Sequence, residues 1–169
     1  MSILALDIAF ANTGWAVMRG GKIVACGTIH TEKAKQKSVR VSDDRAARAA
    51  ALADGLKEVI ETHKPSGLVG ELPSGSQSAT PANLLGWASG VVVGVATAYG
   101  IPCEWISESD SKKAALGKRS AAKWEMMEWA RSKWPDVVFP KSAAKFEHIA
   151  DSLAAYNGLK NGVLVRAFG

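Results

Sequence analysis

Three acidic residues lie in stretches whose other residues are typical of a hydrophobic core. Asp7 follows ILAL, Glu71 follows GLVG, and Asp151 lies within EHIADSLAAY. A buried carboxylate without a partner is costly, so each must have a local structural role or bind something. Asp7 could accept hydrogen bonds from turn amides, Glu71 could cap the following loop, and Asp151 could lie on a helix surface. The three together favour a shared site.

The last of these acids belongs to a predicted helix that carries two more candidate side chains. Glu147 lies four residues before Asp151 and His148 three residues before it, so the three can share one helix face. Carboxylates and an imidazole suit Mg²⁺ or Mn²⁺, and the lack of thiolates argues against a structural zinc site. Two such ions ~3.5–4 Å apart would support phosphodiester hydrolysis. His148 could be a ligand, a proton-transfer group or an ordinary helix residue.

The elements that must position these residues are predicted from turn signals and hydrophobic periodicity. Three strands come first, with Gly20-Gly21 as a tight hairpin turn between the second and third. A meander followed by β-α crossovers predicts an α/β fold, with a mixed five-stranded sheet flanked by helices, in which strands one and four are neighbours. The predicted strands cover residues 2–8, 14–19, 22–30, 67–71 and 102–106, and the predicted helices cover residues 42–62, 81–99, 119–134 and 142–156.

Three of the predicted helices carry more specific expectations. The first has Ser42 as its predicted N-cap. The second, over residues 81–99, is a candidate dimer interface or simply the central core helix. It has glycines four residues apart on one face, which predicts close approach to a neighbouring element; they are Gly86, Gly90 and Gly94. The third is predicted to turn its large apolar residues inward, namely Trp124, Met127 and Trp134.

Length and composition are those of an ordinary globular protein. The 169 residues predict a single domain over 1–169, and 47% hydrophobic with 22% charged residues argues against disorder. Cys26 and Cys103 have no metal or redox spacing, so we interpret them as small core residues in a reducing compartment. The N-terminus lacks a signal-peptide pattern. The longest apolar run, residues 90–99, is shorter than the ~20 residues that span a bilayer, so we expect a cytoplasmic protein without membrane contact.

The basic residues are clustered along the chain. The formal net charge is +5, with a sequence pI of about 9.3, which suits a polyanionic partner. Either cluster could instead be a solvated loop or helix face. The first cluster consists of Lys33, Lys35, Lys37 and Arg40, and the second of Lys112, Lys113, Lys118, Arg119 and Lys123.

Five motifs occur in the order and at the spacing of one enzyme family. In LALDIAFANTGWAVM an aspartate is followed seven residues later by the glycine of a Thr-Gly-aromatic triplet, GLVGE ends in glutamate, and LLGWASGVVVGVA is glycine-rich. KKAALGKRSAAKWEM is basic, with Lys112, Gly117 and Lys123 in step, and in EHIADSLAAY a histidine precedes the aspartate by three. Over nearly its whole length the chain resembles the RuvC family of Holliday-junction resolvases, within the RNase H-like superfamily.

The resemblance implies a homodimer that binds four-way DNA junctions in recombination and repair. It would nick two strands symmetrically with two Mg²⁺ ions per active site, for which Mn²⁺ would substitute, and without a small-molecule cofactor. The implied metal ligands are Asp7, Glu71, His148 and Asp151. Lys112 and Lys123 would act on the DNA backbone near the scissile phosphate. The implied nucleic-acid-binding residues are Lys112, Lys113, Lys118, Arg119, Lys123, Ser74 and Gln77.

The sequence departs from the family pattern in two loops. The first loop of the family has Pro-Gly after the aspartate, where this chain has Ile8-Ala9. The loop after the glutamate carries an aromatic residue that wedges into the junction centre, and the matching stretch here is Leu72-Pro73-Ser74. These departures fit a phage-type or otherwise divergent member, which would act in the cytoplasm of its host if it is encoded by a phage.

Three other functions share parts of this pattern. An RNase H-fold nuclease acting on other branched DNA or on RNA, as in YqgF-like relatives, also begins with an aspartate seven residues before a glycine. The helix with His148 and Asp151 and the lysine-rich segment from Lys112 favour RuvC-like enzymes over these. A sugar-kinase or actin-like fragment would need a second phosphate-binding loop and another domain. A junction-binding protein without catalysis would have no need of all the candidate carboxylates.

Overall fold

The computed structural model describes residues 1–72 and 78–169. Its strands form one sheet in the order β3-β2-β1-β4-β5. β2 is antiparallel to β1 and β3, whereas β4 is parallel to both β1 and β5. The predicted fold class, a mixed five-stranded sheet with flanking helices, is confirmed. The strands are β1 (Ile3–Asp7), β2 (Asn12–Arg19), β3 (Lys22–His30), β4 (Gly67–Glu71) and β5 (Cys103–Ile106).

Four of the five strands run in the same direction, because two antiparallel pairings in succession bring β3 parallel to β1. Their carboxyl ends therefore lie at one end of the sheet, which we call the carboxyl edge. The register places Asp7 beside Glu71, and Glu71 beside Ile106. β2 begins at this edge, where Asn12 pairs with His30. Three segments thus enter or leave the sheet close to the two carboxylates.

The described residues form six helices around this sheet. Two of them were not predicted from the sequence, α3 and α6, and the helix predicted over residues 119–134 begins later, at Lys123. The helices are α1 (Val41–His63), α2 (Ala79–Ala98), α3 (Glu108–Leu116), α4 (Lys123–Lys133), α5 (Ala143–Gly158) and α6 (Val163–Phe168).

Alternation of side chains along β1 divides the core into two layers. Ile3 and Ala5 belong to one apolar cluster, with α4 and α5, whereas Leu4 and Leu6 belong to the other, with α1 and α2. Both faces of β1 are buried, so all four residues are fully shielded from solvent. The sheet therefore holds Asp7 at the end of a strand that is covered on both sides.

Two detailed predictions about helix residues are wrong. The N-cap of α1 is Arg40, and Ser42 lies inside the helix without a capping hydrogen bond. In α4 Met126 is 1% exposed and Trp124 is 64% exposed, whereas Met127 packs partly buried against the core. Because α4 begins at Lys123, Trp124 falls in its first turn and faces outward. Trp134, by contrast, is buried as predicted.

The face of α2 that carries the three glycines is open. Within residues 1–72 and 78–169, a methyl group added at any of them would meet nothing within 4 Å, so no described element of this chain makes the predicted close approach. The buried residues of α2 are confined to Ala88, Val92 and Ala96, which also argues against a central core helix. The glycines are Gly86, Gly90 and Gly94.

α2 is longer than the apolar run from which no membrane contact was expected. The helix has 20 residues and, by length and composition alone, is apolar enough to cross a membrane. This is weak support for a membrane span, since apolar helices of soluble proteins pass the same test. Only 17% of its most apolar window is buried inside this chain.

Candidate active site

A cleft of about 280 Å³ opens at the carboxyl edge, between the ends of β1 and β4 and helix α5. It brings together all four predicted metal ligands, Asp7, Glu71, His148 and Asp151, with the residues that surround them. Strand pairing positions the first two, and one face of α5 supplies the other two. The remaining lining residues are Ile8, Ala9, Glu108, Lys123 and Glu147.

Asp7 is held by the imidazole of His148. The distance from His148 Nδ1 to Asp7 Oδ2 is 2.7 Å. Gly14, the strand partner of Asp7, makes this contact possible, because a Cβ there would lie 2.1 Å from the carbonyl oxygen of His148. The glycine of the Thr-Gly-aromatic triplet therefore provides the space in which α5 approaches the sheet.

The loop after Asp7 closes without a left-handed residue. Thr13 donates a 2.7 Å hydrogen bond from Oγ1 to the carbonyl of Ala9, and Ile8 and Phe10 are buried. Lys64 is the single non-glycine residue with positive φ in the described ranges, so Ala9 adopts an ordinary conformation. The Ile8-Ala9 departure from the family pattern is therefore accommodated by apolar anchoring and the hydroxyl of Thr13.

Glu71 is held by a residue that the sequence did not single out. Ser111 of α3 is fully buried and donates a hydrogen bond from Oγ to Glu71 Oε1. Glu108, one turn earlier, lines the same cleft. Both were missed because α3 was not predicted. The signal that would have found the helix is Ser107, whose hydroxyl caps it by accepting from the backbone N–H of Asp110, with Gly117 in the left-handed conformation at its end.

Burial and mutual repulsion make these carboxyl groups reluctant to ionise. Burial, opposed by the Ser111 hydrogen bond and reinforced by Asp7 and Asp151, raises the pKa of Glu71 to about 8. Burial and the charge of Asp7 raise the pKa of Asp151 to about 7. Burial also raises the pKa of Asp7, although its bond to His148 opposes the effect. The same bond raises the pKa of His148.

The donor set suits a hard divalent cation by type and by charge. The predicted ligand set has three carboxylates and an imidazole, Glu108 and Glu147 add two more carboxylates to the cleft, and the raised pKa values of Glu71 and Asp151 reflect negative charge that a cation would offset. The side chains are placed for hydrogen bonding to one another and to Ser111. As they stand, no three Asp, Glu, His or Cys side chains within residues 1–72 and 78–169 converge into a metal-ligating group.

Four of the five basic residues of the second predicted cluster form ion pairs in the described chain. Lys123 lines the cleft, pairs with Glu147 and keeps its side chain 76% exposed. Lys112 pairs with Glu108 on α3 and is mostly covered. Farther out, Lys113 is exposed, and two further pairs join Lys118 to Glu125 and Arg119 to Asp110. The structure thus brings Lys112 and Lys123 to the carboxylates and leaves the other three outside.

Two predicted nucleic-acid contacts lie outside the described residues. They are Ser74 and Gln77, which lie between Glu71 and α2 in the sequence. Leu72, the last described residue before them, is 37% exposed.

Comparison with known proteins finds similarity over most of the chain. The crossover junction endodeoxyribonuclease RuvC of Nitratidesulfovibrio vulgaris is 31% identical over 127 residues, covering 73% of this chain and 71% of the relative. The RuvC of Rhizobium etli is 26% identical over 156 residues, covering 90% of this chain and 85% of the relative. No protein-family model matches the chain.

The fold is also that of a solved structure. The RuvC of T. thermophilus in complex with a Holliday junction substrate superposes with a TM-score of 0.73 at 21% identity, covering 94% of this chain and 92% of the other. At this identity the likeness concerns the fold, and it covers the sheet and the helices that form the cleft.

Proposed function

This chain belongs to the RuvC family of crossover junction endodeoxyribonucleases, and on that basis we propose that it resolves four-way DNA junctions by hydrolysing two phosphodiester bonds. The observation that carries the proposal is the cleft at the carboxyl edge. It gathers Asp7, Glu71, His148 and Asp151 where β1, β4 and α5 meet. The relatives bear the name of this activity, and the solved complex holds a Holliday junction.

The four residues would hold the metal that this family implies, Mg²⁺ with Mn²⁺ as a substitute and two ions per site. When bound, such ions lower the pKa of water and stabilise the charge on a leaving oxygen. The chain's own contribution is to position the carboxylates. His148 fixes Asp7 and Ser111 fixes Glu71 through hydrogen bonds, so neither carboxylate must be ordered during the reaction.

Lys112 and Lys123 are proposed to bind the DNA backbone around the scissile phosphate. Lys123 lines the cleft, Lys112 pairs with Glu108, which lines it, and both lysines are thus paired with a glutamate in the DNA-free protein. A phosphate that approaches the carboxylates would compete with Glu108 and Glu147 for these ammonium groups. The lysines would then neutralise the charge of the scissile strand.

We propose a homodimer that forms through α2. The open glycine face, Trp87 at 40% exposure and Val93 at 44% exposure leave apolar surface that a second copy of the chain would cover. A two-fold axis through this surface would present two clefts to the two equivalent strands of a four-way junction. Cleavage would then be symmetric.

The proposed location is the cytoplasm, or that of the host if a phage encodes the protein. There the DNA substrate is accessible and thiols stay reduced. Cys26 and Cys103 are both free thiols and partly buried, as such a compartment allows.

The proposal is tested by incubating the protein with labelled four-way, three-way, flap and duplex DNA and with an RNA–DNA hybrid. Each substrate is offered with Mg²⁺, with Mn²⁺ and with EDTA. We expect paired nicks on opposite strands of the four-way junction with either metal and none in EDTA. Preferential cleavage of the hybrid or the flap would overturn the assignment in favour of another nuclease of the same fold.

A further inference from the structure

The basic cluster that follows β3 has no part in the cleft or in its ion pairs. It lies in the loop from Thr31 to Arg40, between β3 and α1, which we call the β3–α1 loop. β3 runs parallel to β1, so this loop leaves the sheet at the carboxyl edge, the same edge as Asp7 and Glu71. The cluster therefore lies on the side of the molecule where DNA must approach.

The loop is fixed to the segment that follows β1. The backbone N–H of Thr31 donates to Ala11 O at 2.9 Å, and Thr31 Oγ1 donates to Phe10 O at 2.6 Å. Arg48 of α1 donates from Nε to Thr31 Oγ1 at 3.0 Å, and its guanidinium lies 4.6 Å from the centroid of the Phe10 ring. These contacts hold the start of the loop against the segment after Asp7.

A second tie holds the middle of the loop. The backbone N–H of Ala34 donates to Asp44 Oδ1 at 2.6 Å, and Asp44 is a buried residue in the first turn of α1. Ala34 stands between two of the lysines, so this bond fixes the backbone from which they project. Hydrogen bonds thus hold the backbone of the loop that carries the lysines.

Among the described residues its lysines carry no ion pair, in contrast to Lys112 of α3 and Lys123 of α4. Within the described chain, Lys33, Lys35 and Lys37 are exposed and form neither a salt bridge nor a side-chain hydrogen bond. The loop's own acid, Glu32, pairs with His30 instead. The ammonium groups are consequently free to bind an anion without breaking an existing contact, unlike Lys112 or Lys123.

The sheet sets the distance between the two basic segments. β1 is the central strand, and β3 and β5 are the two edges, each about 10 Å from β1 at ordinary strand spacing. The β3–α1 loop and the α3–α4 segment therefore flank the carboxylates on opposite sides. A displacement of ~10 Å corresponds to about three nucleotide steps along one DNA strand.

We propose that the β3–α1 loop is a second phosphate-binding surface, which holds a duplex arm of the substrate across the cleft from α3 and α4. The inference rests on the proposed function, since it concerns how the same DNA is held. Lys33, Lys35 and Lys37 contribute to affinity through phosphate contacts and read no sequence.

The test measures junction binding in EDTA, so that no cleavage intervenes, over about 50 to 200 mM salt, a range that strongly changes such affinities. Three proteins are compared with wild type. One carries Lys33→Gln, Lys35→Gln and Lys37→Gln; a second carries arginine at the same positions. The matched control carries Lys22→Gln, Lys57→Gln and Lys64→Gln, three exposed lysines away from the carboxyl edge.

We expect the loop glutamine variant to bind more weakly, with its slope of log affinity against log salt reduced by about 0.9 for each phosphate that is no longer neutralised. The arginine variant and the control should keep the wild-type slope. Wild-type affinity and slope in the loop variant would overturn the inference and leave the proposed function standing, as would equal reductions in the loop variant and the control. If wild type neither binds nor cleaves the junction, both proposals fail.

Discussion

At the scale of single residues, the candidate site depends on two hydrogen bonds that hold buried carboxylates. His148 binds Asp7, and Ser111 binds Glu71. Neither bond removes the cost of gathering several acids, which is why the pKa of Glu71 rises to about 8 despite the hydroxyl. These residues gather negative charge that a cation would offset, and their hydrogen-bond partners orient them.

Ser111→Ala is expected to impair cleavage through Glu71. Without the hydroxyl, the pKa of Glu71 rises further, because that hydrogen bond favours the ionised form. The acid limb of the pH–rate profile should move to higher pH, and the rate at neutral pH should fall by about 10- to 100-fold, as for other groups that orient ligands. The measurement is single-turnover junction cleavage as a function of pH.

Ser111→Thr, which keeps a hydroxyl, is the matched rescue, and Ser109→Ala is a control on the same helix. An unchanged pH profile in Ser111→Ala would show that the buried bond to Glu71 has no part in catalysis.

At the scale of elements, α2 leaves apolar surface exposed in the single chain. Among the described residues nothing covers its glycine face, and its buried residues are few and small. The proposal that a second copy of the chain covers this surface is made at this scale.

Val93→Glu is expected to dissociate the proposed dimer. Val93 is 44% exposed on α2, and a charge there would be buried without a partner at the interface. Light scattering coupled to gel filtration should show a dimer for wild type and a monomer for the variant. Val138→Glu is the matched control, because Val138 is 96% exposed and lies outside the helices. A wild-type monomer, or a Val93→Glu dimer, would contradict the assignment of α2.

The sequence predicts the elements whose apolar pattern is strong and misses those that depend on tertiary contacts. β1, β2 and β4 are mostly buried runs, and β3 and β5 are half-buried edge strands, and turn signals bound them, so their order and approximate limits were predictable. α3 has the sequence ESDSKKAAL, without an apolar stripe, and it docks through polar groups. Ser111 binds Glu71, and Asn157 donates from Nδ2 to the carbonyl of Ala114. Contacts of this polar kind produce no hydrophobic periodicity from which a helix could be predicted.

The residues of the site were more predictable than the bonds between them. Asp7, Glu71 and Asp151 stand out because each is an acid in an apolar context. Gly14 was recognised as part of a motif. Only the packed structure shows why glycine is required there, namely that the backbone of His148 lies too close for a Cβ. The close approach predicted for the glycine face of α2 failed for a similar reason. Glycines at a spacing of four do not indicate whether a neighbouring element belongs to the same chain.

At the scale of the whole molecule, the fold gathers negative charge at one point of the carboxyl edge and positive charge on both sides of it. The carboxylates lie at the ends of β1 and β4, whereas the lysines follow the edge strands β3 and β5. The net charge of +5 is thus distributed so that DNA would be attracted to the flanks while the centre is left for a cation.

The acidic centre predicts a characteristic pH dependence of stability. The pKa of Glu71 rises from 4.5 to about 8 and that of Asp151 from 3.8 to about 7. At a pH between a group's unfolded-state pKa and its folded-state pKa, the folded protein binds more protons than the unfolded chain. The free energy of unfolding therefore falls as pH rises. The raised pKa of His148 acts in the same direction, because its protonated form stabilises the fold and is lost as pH rises.

In EDTA, the melting temperature of wild type should therefore fall between about pH 5 and pH 8. The melting temperature of Glu71→Gln, in which residue 71 cannot ionise, should fall less over this range. Mg²⁺ should raise the melting temperature of wild type most at the high-pH end. Calorimetry or circular dichroism measures both. A difference in melting temperature between wild type and Glu71→Gln that does not change with pH would contradict the raised pKa of Glu71.

The most direct test of the central claim is Mg²⁺-dependent cleavage of a labelled four-way junction by wild type and by Asp7→Asn, with junction binding measured in parallel. Glu58→Gln is the matched control, because it removes one acid from the exposed surface of α1, outside the cleft. We predict paired nicks with wild type and Glu58→Gln. Asp7→Asn should lose ~100-fold or more of the cleavage rate while it keeps its affinity for the junction. Full cleavage by Asp7→Asn would contradict the assignment of the site.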